Sequence, residues 1–178
     1  LRHIEKAEIN SNPFSKREWD NLVILDACRY DLYDKVEGCQ ESVISPGSQS
    51  AEVIENTFSE GNWEDTILVT ANPHHHNSFF EDRTGRQVQD VFHSVYNTFE
   101  TDWNEEHGTV MPESIVRDAK TAQELFPEKK KIIHFMQPHH PMVASDVYKR
   151  DGFGRFEGEN QDCIWEKVEE GEIDRQIA

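Results

Sequence analysis

The chain predicts an α/β fold with a mainly parallel sheet and helices on both faces. Three observations carry that expectation. Short runs of branched aliphatic residues read as buried strands, apolar residues at helical spacing lie between them, and polar residues wait at the end of each run. Residues before Trp19 are polar and charged, broken by Pro13, and read as a lead-in segment, 1–18. Leu22-Val23-Ile24-Leu25 is then an inner strand covered on both faces, with Asp26 at the carboxyl end where open α/β sheets bind ligands. Tyr30 to Val36 turns or winds a short helix over the sheet, and Ser42 to Ser45 is a brief strand ended by Pro46-Gly47. Ala51, Ile54 and Phe58 place a helix that begins near Ser48 to Ser50 and stops at Gly61-Asn62. Thr66 to Ala71 is the next strand, ended by Asn72-Pro73. His74 to Gly85 reads as a polar loop, and Val88 to Tyr96 as an outer strand or a helix. Pro112 opens a helix with Ile115, Ala119, Ala122 and Phe126 on one face, and Lys131 to Met136 is a last strand closed by Gln137-Pro138.

The 178 residues suit a single domain, 1–178, with a real core. The chain starts without Met, and Ile164, Val168, Ile173 and Ile177 form a weakly helical pattern with no closing cap. We therefore expect a domain cut at its carboxyl end. Asp plus Glu number 35 against 18 Lys plus Arg, a net charge of -17 that repels nucleic acid and anionic membranes. The acids are spread over the whole chain, and the mean hydropathy is -0.79, so the pattern fits an evenly acidic surface that works in high salt. Cys28, Cys39 and Cys163 are too few and too unevenly spaced for a disulfide framework or a zinc knuckle. They read as reduced thiols of a cytoplasmic protein, and no apolar run is long enough to span a bilayer. Nothing in the sequence specifies an oligomeric state.

The chemistry gathers at three strand ends: Asp26, Asn72 with the run His74-His75-His76, and His139-His140. In a parallel sheet those ends share one edge, so distant residues can converge there. Asp26 alone has two readings, a metal ligand or a cap for the turn that follows. Arg29 either pairs with Asp31 or Asp34 or binds an anion. Ser48 and Ser50 stand at a helix start, where a hydroxyl is either an N-cap or, beside a metal, an attacking group. Three consecutive His residues point in different directions, which favours a solvated loop with one imidazole reaching the site. His139-His140, held between Pro138 and Pro141, are the stronger candidates, while His134 inside an apolar strand reads as core.

The order of four segments resembles the sulfatase-like branch of the alkaline phosphatase superfamily, in particular its haloarchaeal sulfatase-like members. They are Trp19 to Asp31, Ser45 to Glu52, Val69 to Pro73, and His134 to Pro141. The resemblance implies an alkaline-phosphatase-like fold, Asp26 and Ser50 as ligands of a divalent metal ion (Ca, Mg, Mn or Zn), and Ser50 as nucleophile, with Ser48 as the second choice. It implies His139 and His140 as catalytic groups near a small-molecule or glycan sulfate or phosphate ester. The Cys-x-Pro-x-Arg signature that yields formylglycine in sulfatases does not occur, and Cys28 lies elsewhere, so a Ser nucleophile is implied instead. A further Asp-His-Gly segment, supplying a second pair of metal ligands, is expected after residue 178. The function implied is a metal-dependent hydrolase or transferase of sulfate or phosphate esters. The alternatives on the same fold are a catalytically silent binding module and a phosphomutase-like enzyme.

Overall fold

The computed structural model describes residues 14, 18–38, 42–140 and 143. In chain order these form β1 (Asn21–Leu25), α1 (Tyr30–Val36), α2 (Ser50–Phe58), β2 (Trp63–Thr70) and a 3-10 turn (Pro73–His75). There follow α3 (Asn77–Thr84), α4 (Val88–Val91), β3 (Phe92–Asn97), α5 (Thr98–Thr101) and the short pair β4 (Trp103–Asn104) and β5 (Thr109–Val110). The last two elements are α6 (Pro112–Leu125) and β6 (Lys130–Phe135).

Four strands lie in one parallel sheet in the order β1-β6-β2-β3. The alternation of a strand explains how β2 anchors both layers of helices. Leu68 turns to one face and packs with Ile54 and Phe58 of α2, Phe80 of α3, Val88 and Val91 of α4, and Ile132 of β6. Ile67 and Val69 turn to the other face and pack with Phe99 of α5 and with Ile115 and Ala122 of α6. Both faces are therefore covered, and the fold is the expected α/β class with a parallel sheet. Phe58 centres the first layer, with Trp63 and Phe92 each 5.1 Å away in edge-to-face contact.

Several local expectations need correction. Among the described residues β1 is the outer strand of the sheet rather than an inner one, and Val23 is 53% exposed. Helix α1 exists but buries none of its residues. Ser42 to Ser45 is no strand: Val43 and Ile44 are exposed, and no ladder among the described residues receives them. Ser45 instead ties its hydroxyl to the Gly47 carbonyl at 2.6 Å, which favours a turn. The polar stretch from His74 to Gly85 holds the 3-10 turn and α3. Its helical period escapes notice because only Phe80 and Thr84 of α3 are buried, and Gly85 at φ 71° ends it. Val88 to Tyr96 divides between α4 and β3, so each of its two readings describes one half. No helix among the described residues is long and apolar enough to cross a membrane. The lead-in, apart from residues 14 and 18, and the pattern from Ile164 to Ile177 lie outside the described residues.

One glycine fixes how α2 meets the loop before it. A Cβ at Gly47 would lie 2.5 Å from Glu52 Cβ and 2.6 Å from the Val53 backbone nitrogen. Neither atom is the free end of a side chain, so α2 would have to shift. Gly47→Ala should lower unfolding stability by roughly 1–3 kcal/mol, measured by denaturant titration; an unchanged midpoint would show that α2 does not depend on this close approach.

Candidate functional site

The carboxyl ends of β1, β2 and β6 meet on the face that α2 covers. Asp26 directly follows β1, and its backbone N–H donates to the Phe135 carbonyl at 3.2 Å, which fastens this end to β6. Ala27, at φ 56°, turns the chain away immediately afterwards. Non-glycine residues seldom adopt this left-handed conformation, and such positions concentrate at functional sites.

Three partners converge on the Asp26 carboxylate. Asn72, 46 residues away, donates from Nδ2 to Oδ2 at 2.7 Å. Its own Oδ1 accepts the His74 N–H at 2.9 Å, which fixes the orientation of the amide. Ser50 Oγ lies 3.5 Å from Oδ1 and 3.4 Å from Oδ2. His134 Nε2 lies 3.4 Å from Oδ2, and both side chains are about nine-tenths covered, at 8% and 12% exposure.

Burial by itself raises the pKa of Asp26, but the hydrogen bond and charge of His134, the charge of His139 and the Asn72 amide outweigh it. The net result lies below the ordinary carboxylate range, so Asp26 is an anion at neutral pH.

The serines separate cleanly. The N-cap of α2 is Gln49, which makes no side-chain cap bond, and Ser50 is the first helical residue with its hydroxyl turned to Asp26. Ser48 takes the structural role: Glu52 Oε2 accepts both its N–H and its hydroxyl at 2.7 Å, which ties the residue before the N-cap to the first turn of α2. The arrangement thus separates the helix-start bond from the hydroxyl that faces the carboxylate.

The histidines divide differently from the sequence expectation. His75, within the expected solvated loop, is 2% exposed, because the 3-10 turn folds it over Phe58 and Phe80. Its Nδ1 meets Thr70 Oγ1 at 3.1 Å, and its ring meets that of His134 edge-on at 5.4 Å. His74 stacks on Phe79 at 4.4 Å. His134 is buried as expected of a core residue, yet its polar edge faces Asp26. The missed signal was strand alternation: Ile24 of β1 pairs with His134, so Asp26, two residues further along, shares its face.

His139 and His140 occupy the turn after β6, where the Gln137-Pro138 peptide is cis. Gln137 Nε2 donates to the Val110 carbonyl at 3.1 Å, joining this turn to β5. The charge of His139 bears on Asp26, and His139 Nδ1 lies 2.8 Å from the His140 carbonyl oxygen. Arg29 grips Asp31 in a two-pronged surface pair at 2.9 Å. Water screens that pair, and it lies apart from the Asp26 network.

No group of three or more His, Cys, Asp and Glu side chains that could hold a metal occurs among the described residues. The donors around Asp26 are one carboxylate, one imidazole and one hydroxyl. They could hold a single cation, because each carboxylate oxygen keeps a lone pair: Oδ1 meets only the long Ser50 contact, and Oδ2 accepts one short bond, from Asn72. Compared with protein-family models, with curated proteins and with solved structures, the chain matches none.

Burial pushes the His75 pKa well below its ordinary value of 6.5, with the charge of His134 acting in the same direction. Below about pH 6.5 the unfolded chain takes up a proton at this position that the folded chain does not. The His75 contribution is therefore complete above that pH and is lost as pH falls, at up to about 1.4 kcal/mol per pH unit. Unfolding free energies between about pH 7.5 and 5.5 should show this slope. It should shrink in His75→Gln, and identical slopes would exclude His75 as its source.

Proposed function

We propose that this domain belongs to a metal-dependent hydrolase or transferase of sulfate or phosphate esters, with Ser50 as nucleophile. The supporting observation is a hydroxyl, free of the capping role, held 3.4–3.5 Å from a buried carboxylate at the ligand-binding edge of the sheet. Ser50 stands in the first turn of a nine-residue helix, where backbone N–H groups and the positive end of the helix dipole favour an anionic ester. Asp26 and Ser50 would hold the divalent ion, with Ca, Mg, Mn or Zn as candidates.

Bound there, a divalent cation supplies a Lewis acid that makes the Ser50 hydroxyl easier to deprotonate. Ser50 Oγ gives up its proton to solvent and attacks sulfur or phosphorus in line, its bond to that atom forms, and the bond to the leaving oxygen breaks. A serine ester remains until water or another acceptor hydroxyl takes the sulfuryl or phosphoryl group. Asn72 keeps the Asp26 carboxylate oriented. His139, whose charge bears on Asp26, neutralises charge on the non-bridging oxygens or protonates the leaving oxygen. His140 supports that turn. The substrate class is a small-molecule or glycan ester.

A second reading, a catalytically silent binding module, is favoured by one observation. Asn72 already occupies Asp26 Oδ2, so the carboxylate also works as a purely structural hub between β1 and β2. Turnover separates the two readings. The full-length protein, assayed on nitrophenyl phosphate and nitrophenyl sulfate with each of the four ions, should lose activity about a thousand-fold or more in Ser50→Ala. Ser48→Ala should retain the wild-type rate. An unchanged rate in Ser50→Ala would discard that residue as nucleophile, and no turnover of either ester with any ion would leave the binding module.

A further inference from the structure

We infer that His134 is a ligand of the same cation as Asp26 and Ser50. This deepens the metal-dependent reading above and rests on it. Strand β6 lies directly beside β1, and the pairing of Ile24 with His134 puts the imidazole on the face of Asp26. The decisive quantity is a distance. His134 Nε2 and Asp26 Oδ2 are 3.4 Å apart, whereas an imidazolium hydrogen-bonded to a carboxylate closes to about 2.7–2.9 Å. Two donors each bound about 2.1 Å from one ion at the tetrahedral angle lie about 3.4 Å apart. Ser50 Oγ keeps the same kind of separation, 3.4 and 3.5 Å from the two carboxylate oxygens. His134 and Ser50 each stand farther from Asp26 than a strong hydrogen bond requires, at the separation of two donors on one cation.

The far side of the imidazole leaves this choice open. His134 is 6% exposed, and its buried Nδ1 has no hydrogen-bond partner among the described residues. No acceptor therefore fixes the tautomer from behind, and the species between Nε2 and Asp26 decides it. The ring plane is held by His75, which meets it edge-on at 86°. A carboxylate, an imidazole and a hydroxyl suit Zn or Mn, whereas Ca and Mg prefer all-oxygen sets. This narrows the four candidate ions to two.

Metal binding tests the inference without any assay of turnover. The full-length protein, stripped by chelation and titrated calorimetrically with zinc, manganese and calcium chlorides, should bind zinc most tightly. His134→Gln should weaken zinc binding by about 100-fold, the upper end of what losing an outer partner costs. Electron–nuclear double resonance on the manganese form should show one fewer coupled histidine nitrogen in His134→Gln than in the wild type, and an unchanged number in His139→Gln. Should His134→Gln fail to fold, wild-type protein labelled with 15N-histidine keeps the test open, because zinc should move the His134 Nε2 resonance to its metal-bound position. A number of coupled histidine nitrogens unchanged in His134→Gln, or an unmoved Nε2 resonance, overturns the ligand assignment if Asp26→Asn still abolishes binding; the ester-transfer reading then stands. Absence of metal binding by the wild type, or binding unaffected by Asp26→Asn, overturns both.

Discussion

A carboxylate that is nearly covered by protein stays ionised only if other groups replace the water it has lost. Asp26 is such a group, and its replacements come from different parts of the chain: Asn72 after β2, His134 on β6 and Ser50 at the start of α2. The packing of those segments determines whether the carboxylate is an anion. The Asn72 amide lies at 2.7 Å and supplies the strongest direct contact, while the two 3.4 Å contacts leave space beside it. Burial acting alone would raise its pKa, and the surrounding dipoles and charges act the other way and win.

Apolar packing of the surrounding elements sets where those groups stand. β2 sends Leu68 into one helical layer and Ile67 and Val69 into the other, so the strand cannot slide without exposing both cores. Asn72 follows β2 by two residues and inherits its position. Ser50 is set by α2, whose Ile54 and Phe58 are locked into the same layer as Leu68 and Ile132. His134 sits on β6 between β1 and β2, where both neighbours hold its register. The polar contacts around Asp26 are consequently positioned by apolar packing a few residues away.

The main strands and the long helix were legible in the sequence because each is a plain hydrophobic pattern: the runs at 22–25, 66–71 and 131–136, and the face of Ile115, Ala119 and Ala122. The Ser42 to Ser45 strand failed because local apolar character cannot supply a pairing partner. Helix α3 was missed because one buried phenylalanine and one threonine leave almost no periodic signal. At the site, Asp26 and Asn72 were visible as polar residues at strand ends, and their meeting follows from a parallel sheet. The roles of His75 and His134 were hidden, since a histidine amid apolar residues reads the same whether its polar edge is idle or faces a carboxylate.

Local pattern by itself determined the α/β class, the acidic surface and the placing of Asp26, Ser50 and His139 near chain reversals, because each depends on neighbours within a few residues. Strand order was decided only in three dimensions. Inserting β6 between β1 and β2 brings His134 to Asp26, and no short-range feature encodes which strand lies beside which. The division of labour between Ser48 and Ser50 also belongs to the tertiary structure. Both precede the same apolar run, and only the angle at which α2 meets the end of β1 turns one hydroxyl to Glu52 and the other to Asp26.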